Sequence, residues 1–249
     1  MIYNTEIFGL DEAAFLIALG FPLQTVSKIE TVDLNSQASA SLPDRLSWHF
    51  GDVSTQGLHI GAVQQSFKLP HPKARATSLG QRARLAACNF QALKSALISG
   101  APLFQKRGNG WTLLRNGDGE PIPRLNETPA PGWCRTSAAL AIACAFGSTL
   151  DGVAQHGGVF YGVPHPAAPG EMTPAKIEAF LLSPAPADPT DYSDLAVMAA
   201  MFVMRSELLK IVNESRRVAL TFGRKRAVLS AGASGVAKDK AFNFLTNGR

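Results

Sequence analysis

Lys68-Leu69-Pro70-His71-Pro72-Lys73-Ala74 has a near-copy ninety-four positions later, Gly162-Val163-Pro164-His165-Pro166-Ala167-Ala168. Each copy sits inside a longer stretch with the same apparent order of elements, and such repeats have to be settled before a fold is named. The expected fold is α+β, two tandem repeats of helix, strand, Pro-His-Pro corner, helix and β-hairpin related by a pseudo-twofold. The expected domains are residues 1–125, a linker at 126–132, a second repeat at 133–232 and a basic tail at 233–249.

In the first half, residues 11–19 open with Asp11 and Glu12 and continue in alanines and long aliphatics. Carboxylates suit the positive end of a helix dipole, and Gly20 with Pro22 marks the stop. A strand is expected over 26–32 and another over 45–50, where polar and apolar residues alternate. His49 falls on the polar side of that alternation and reads as exposed, without a task. A strand over 66–69 is expected to run into the first Pro-His-Pro. Leu85, Phe90, Leu93 and Leu97 are spaced for the buried stripe of a helix over 81–98. Residues 103–106 and 111–115 read as a hairpin, and Asn116-Gly117-Asp118-Gly119 as a turn.

The second half reads in the same order. A helix is expected over 136–146, with Gly147 answering Gly20 and Leu150 answering Leu23. A strand over 159–163 enters the second Pro-His-Pro. An additional helix is expected over 173–182 and a long one over 191–212, whose Leu209-Lys210 matches Leu93-Lys94. Residues 217–222 and 227–230 read as a second hairpin tipped by Gly223-Arg224-Lys225-Arg226.

Thr5-Glu6-Ile7-Phe8 and the run from Ala13 to Leu23 resemble a small uncharacterised α+β domain family of bacteria and their phages. Residues 5–100 carry the likeness, through a strand like Leu46 to Phe50 and a helix ending in Leu93-Lys94. The second half looks like a divergent copy. The insert between Gln24 and Phe67 departs from the pattern, and the resemblance implies no active site.

Charge is unevenly placed. The formal net charge is +5 and the pI about 9.3. Residues 1–64 hold 2 basic and 7 acidic groups, and residues 65–135 hold 11 and 3. Residues 136–204 hold 1 and 6, and residues 205–249 hold 10 and 3. Each half is acidic first and basic afterwards. Gathered on one face, the basic parts would attract polyphosphate through counterion release. The candidate nucleic-acid-binding residues are Lys106, Arg107, Arg224, Lys225, Arg226, Arg216, Arg217, Lys73, Arg75, Arg82 and Arg84, with Trp111 as a base-stacking platform. The plain alternative is that these cations are solvated or satisfy helix ends, and that the aromatics are core.

No chemistry-bearing signature emerges. The 3 cysteines, Cys88, Cys134 and Cys144, have no C-x-x-C spacing. Cys134 with His156 matches no nucleophile motif, and there is no phosphate loop. His71 and His165 would be only two metal ligands where three or four are usual. No cofactor, metal or catalytic residue is therefore expected. The N-terminal residues lack a signal-peptide pattern and no apolar run approaches the ~20 residues of a bilayer span, so a cytoplasmic protein with no membrane contact is expected. The leading reading is a non-enzymatic protein contacting RNA or single-stranded DNA. The alternative is a phage or mobile-element interaction module, an inhibitor or accessory subunit gripping a nucleic-acid-processing complex. A hydrolase with an unrecognised site is the third.

Overall fold

The computed structural model describes residues 4–7, 9–29, 45–71, 74–99, 103, 105–107, 110–130, 133, 137–148, 150–164, 174–181 and 194–222. They form an α+β protein. In chain order come β1 (Asn4–Ile7), α1 (Leu10–Ala18), β2 (Leu23–Ile29), β3 (Arg45–Gly51), α2 (Ile60–Ser66) and α3 (Leu79–Ser99). The strands β4 (Gln105–Arg107), β5 (Gly110–Thr112) and β6 (Arg124–Leu125) follow. Then come α4 (Ser137–Ala145), β7 (Leu150–His156), β8 (Val159–Pro164), α5 (Pro174–Leu181) and α6 (Asp194–Phe222). Two units result: residues up to Val63 together with those from Ala200 on, and residues 64–199.

In the first unit the strands lie in the order β1-β3-β2, all antiparallel. Leu46, Trp48 and Phe50 of β3 are buried, and the register sets Ile7 and Val26 opposite Trp48. The Ala13 to Leu16 run of α1 is also buried. That helix ends because Gly20 takes φ +78°, a conformation that costs glycine little. Gly20 N–H then bonds Ile17 C=O at 2.9 Å and Phe21 N–H bonds Leu16 C=O at 3.0 Å. This pair of bonds is the Schellman cap.

The second unit holds α3, α4, α5, the β4–β5 hairpin and a sheet in the order β6-β7-β8. Here β6 pairs β7 in parallel and β7 pairs β8 antiparallel, through Gly157 and Gly158 at φ +55° and +76°. Every residue of α4 from Ala139 to Ala145 is buried. It packs against α3, α5 and β8, and a Cβ on Gly162 would stand 2.5 Å from Leu140 Cδ1. Gly147, at φ +84°, ends α4 with the same cap as α1: Gly147 N–H to Cys144 C=O at 3.1 Å and Ser148 N–H to Ala143 C=O at 3.0 Å.

Helix α3 begins in a capping box. Ser78 Oγ accepts from Gln81 N–H at 3.2 Å, and Gln81 Oε1 accepts from Thr77 N–H at 2.9 Å and Ser78 N–H at 3.4 Å. Midway, the buried Asn89 donates from Nδ2 to Arg115 C=O at 3.0 Å and accepts from Arg115 N–H at 3.2 Å. One amide thus satisfies both backbone groups of a residue just beyond β5.

Three expectations about element order are corrected. Residues 217–222 are the end of α6, not a hairpin strand. No glycine or proline interrupts the chain from Asp194 to Phe222, and the helix is continuous over that range. The first Pro-His-Pro is not entered by a strand: Ile60, Val63 and Phe67 are buried at helical spacing, and α2 occupies that stretch through Ser66. The two Pro-His-Pro copies also fall at different points in the element order. Pro70 and His71 lie between α2 and α3, whereas Pro164 ends β8 ahead of α5. Pro72, His165, residues 227–230 and the 233–249 tail lie outside the described residues.

Asn89→Ala leaves the Arg115 backbone groups without that amide. Losing two bonds and leaving a void at a fully buried side chain costs about 2–3 kcal/mol, a fall in Tm of roughly 5–10 °C. Thermal denaturation checks this; a change near zero would show that the clamp is dispensable.

Candidate nucleic-acid interface

The candidate cations divide by what they touch. Arg82, in the first turns of α3, bonds Asp194 through Nη1 at 2.5 Å and stands 5.5 Å over the Phe146 ring. Arg84, two residues on and so on another side of the helix, lies 5.5 Å over Phe67. Arg75 pairs with Asp118 at 3.3 Å, but its side chain is 72% exposed. An ion pair so open to water holds its partners weakly. Of the three candidates whose side chains are described, Arg75, Arg82 and Arg84, Arg75 is the exposed one.

Lys106 and Arg107 form the end of β4, and the antiparallel register sets Lys106 opposite Trp111 and Arg107 opposite Gly110. The expected hairpin is present, and it brings one candidate cation beside the candidate stacking residue in the backbone ladder. Arg216 and Arg217 belong to α6. Lys73, Arg224, Lys225 and Arg226 lie outside the described residues.

One cation on α6 is taken out of the surface altogether. Arg205 is 8% exposed and bonds Asp11 of α1 through Nε at 2.6 Å. Sequence reading assigned Asp11 only to the helix dipole; its partner, 194 positions away, has no local signal.

A second polar constellation corrects the reading of His49. His49 Nε2 lies 2.9 Å from Ser27 Oγ and 3.0 Å from Ser47 Oγ, and the two hydroxyls are 2.7 Å apart. Three contacts share two hydroxyl protons and one ring nitrogen, so at most two are occupied by a proton when Nε2 accepts. Glu6 Oε1 is 4.0 Å from the same Nε2. A triad needs the acid on the opposite ring nitrogen and a reachable hydroxyl. Here Ser47 is fully buried and Glu6 faces the nitrogen that the serines already occupy. The arrangement therefore joins β1, β2 and β3 across one sheet face. Its sequence signal was the alternation of Ser47 and His49 in β3, opposite Ser27 and Thr25 in β2.

Among the described residues no three His, Cys, Asp or Glu side chains gather as metal ligands, and no helix is long and apolar enough to cross a membrane. Cys88 and Cys144 are not joined in a disulfide. No family model, curated protein or solved structure matches the chain.

Locked and exposed cations should separate in stability measurements. Asp11→Ala removes the carboxylate facing a nearly buried guanidinium and should cost about 3 kcal/mol. Arg75→Ala should change stability by less than about 0.5 kcal/mol. Denaturant unfolding of both variants checks the division, and equal effects would contradict it.

Proposed function

We propose that this is a non-enzymatic binding protein that contacts the phosphate backbone of RNA or single-stranded DNA through its basic segments. The observation that carries the reading is charge segregation: residues 65–135 and 205–249 hold 21 of the 24 lysines and arginines. Arg82 and Arg205 serve the fold, so the contacting set is Arg75, Lys73, Lys106, Arg107, Arg216, Arg217 and Arg224 to Arg226, with Arg84 at its edge. Trp111, opposite Lys106 in the β4–β5 ladder, is the base-stacking candidate. A cytoplasmic location and a phage or mobile-element origin, the latter drawn from the family resemblance, belong to the same reading.

The proposal includes a duplicated unit, anchored elsewhere than in Pro-His-Pro. The order strand, helix, strand, strand, short helix, long helix occurs as β1 α1 β2 β3 α2 α3 and again as β6 α4 β7 β8 α5 α6. Helices α1 and α4 have 9 residues each and identical caps. Strands β2 and β7 have 7 residues each, with register breaks at Leu23/Thr25 and Leu150/Gly152. Buried positions of α3 recur in α6 at one spacing: Ala83 and Ala199, Leu85 and Met201, Asn89 and Arg205, Ala92 and Leu208. The edge strands differ, since β1 pairs β3 antiparallel and β6 pairs β7 in parallel.

Fluorescence anisotropy with a single-stranded oligonucleotide over a salt series tests the binding. Affinity should fall steeply with salt, and the Arg224, Lys225, Arg226 triple alanine variant should lose roughly 2 units of the log–log slope at unchanged Tm. Affinity indifferent to the triple substitution would overturn the reading. A protein recovered from nuclease-treated host lysate by a chain that binds no oligonucleotide would favour the interaction module instead.

A further inference from the structure

The first unit contains β1, α1, β2 and β3 from the front of the chain, together with the greater part of α6, from Ala200 onward; the first turns of that helix, Asp194 to Ala199, belong to the second unit. Its described side-chain link to α1 is the nearly buried Arg205–Asp11 pair. The second unit contains α4, β7, β8 and α5, and the long helix packed on α4 is α3, from the front of the chain. A plain tandem array would place α3 with α1 and α6 with α4. Instead α3 packs on α4, and α6 from Ala200 onward falls in the unit of α1, tied to it by Arg205 and Asp11.

The buried faces agree with this. Asn89 of α3 and Arg205 of α6 stand at matching positions in their helices, and both are buried polar groups that reach outside their own helix. Asn89 holds the Arg115 backbone in the second unit, and Arg205 holds Asp11 in the first. The same helical position has become the attachment point in each unit, with a different bond.

We infer that the two halves of the chain complete one another by exchanging their long helices. The surfaces of α1 and α4 are receiving sites, and the partner they fit is the long helix of another copy of the same unit. The inference builds on the duplicated-unit reading but is independent of nucleic-acid binding. Exchange of an identical element between copies is a low-cost route to association. Covalent joining makes it intramolecular and raises the effective concentration of each helix at its site.

Residues 126–130 carry no helix or strand, and Asn126, Glu127, Thr128 and Ala130 are exposed. A protease site inserted between Glu127 and Thr128 of the full chain would cut the folded protein into its halves. After cutting, the fragments should co-elute at the mass of the intact 26.5 kDa chain and part only in denaturant. Asp11→Arg should weaken their association by about 100-fold or more, and adding Arg205→Asp should restore most of it. Asp11→Asn serves as the gentler variant if Asp11→Arg does not fold. Fragments that separate in native buffer would overturn the exchange. So would an association indifferent to both Asp11 and Arg205. Neither result touches the duplication itself, which fails if β2–β3 and β7–β8 do not superpose.

Discussion

Helix α4 has no polar side: from Ala139 to Ala145 every side chain is buried. A helix apolar all round must be enclosed on all faces. Its own hairpin covers part, through Gly162 against Leu140, and α5 covers another. The remaining face needs a long helix that approaches closely, which the small residues of α4 permit. That helix is α3, from the other half of the sequence. Helix α1 poses a milder form of the problem, since Asp11 and Glu12 leave its first turn polar. Its answer includes a charge, the Arg205 guanidinium.

This enclosure bears on how the cations are used. A nearly buried ion pair mainly enforces which groups must meet, because desolvation offsets much of its attraction. In the exchanged-helix proposal, Arg205 and Asp11 select the helix that meets α1. Arg75, with most of its side chain in water, fixes nothing comparable and remains open to a ligand. The His49 triangle has no counterpart in the other long hairpin. In β7–β8 the pairs corresponding to Thr25–His49 and Ser27–Ser47 are Gly152–Val163 and Ala154–Tyr161. A hairpin folds with either set, so the polar cluster belongs to β2–β3 and is no requirement of such a hairpin.

Much of the local structure was legible. The acid-rich start of α1, the glycine stops after α1 and α4 and the β4–β5 hairpin all follow from short-range rules; of the stripe expected on α3, Leu85 and Leu93 are buried, Phe90 and Leu97 only partly, and alanines with Asn89 supply the rest of the buried face. The long reach of α6 followed from the absence of helix breakers, a signal outweighed by an apparent alternation near its end. Strand β7 was missed because Asp151 and Gly152 are poor strand formers, and pairing with β8 overrides them. The two-residue β6 carries too little sequence to be seen alone. The Pro-His-Pro tripeptide falls at different points in the element order, whereas Gly20 and Gly147 both end a nine-residue helix with the same cap. What no window could show is which long helix serves which unit. The Arg205–Asp11 contact lies far beyond any periodicity argument, and so does α3 on α4. Of the candidate interface, the Lys106–Trp111 pairing was legible through the hairpin, while the commitment of Arg82 to Asp194 was not.

Native-state hydrogen exchange on a chain carrying Phe15→Ala probes helix placement most directly. Phe15 is a buried residue of α1, and loosening it should open the segment that folds with it. The exchanged-helix account predicts faster exchange in the part of α6 from Ala200 to Glu214, with α3 unchanged. Acceleration in α3, with α6 still protected, would contradict it.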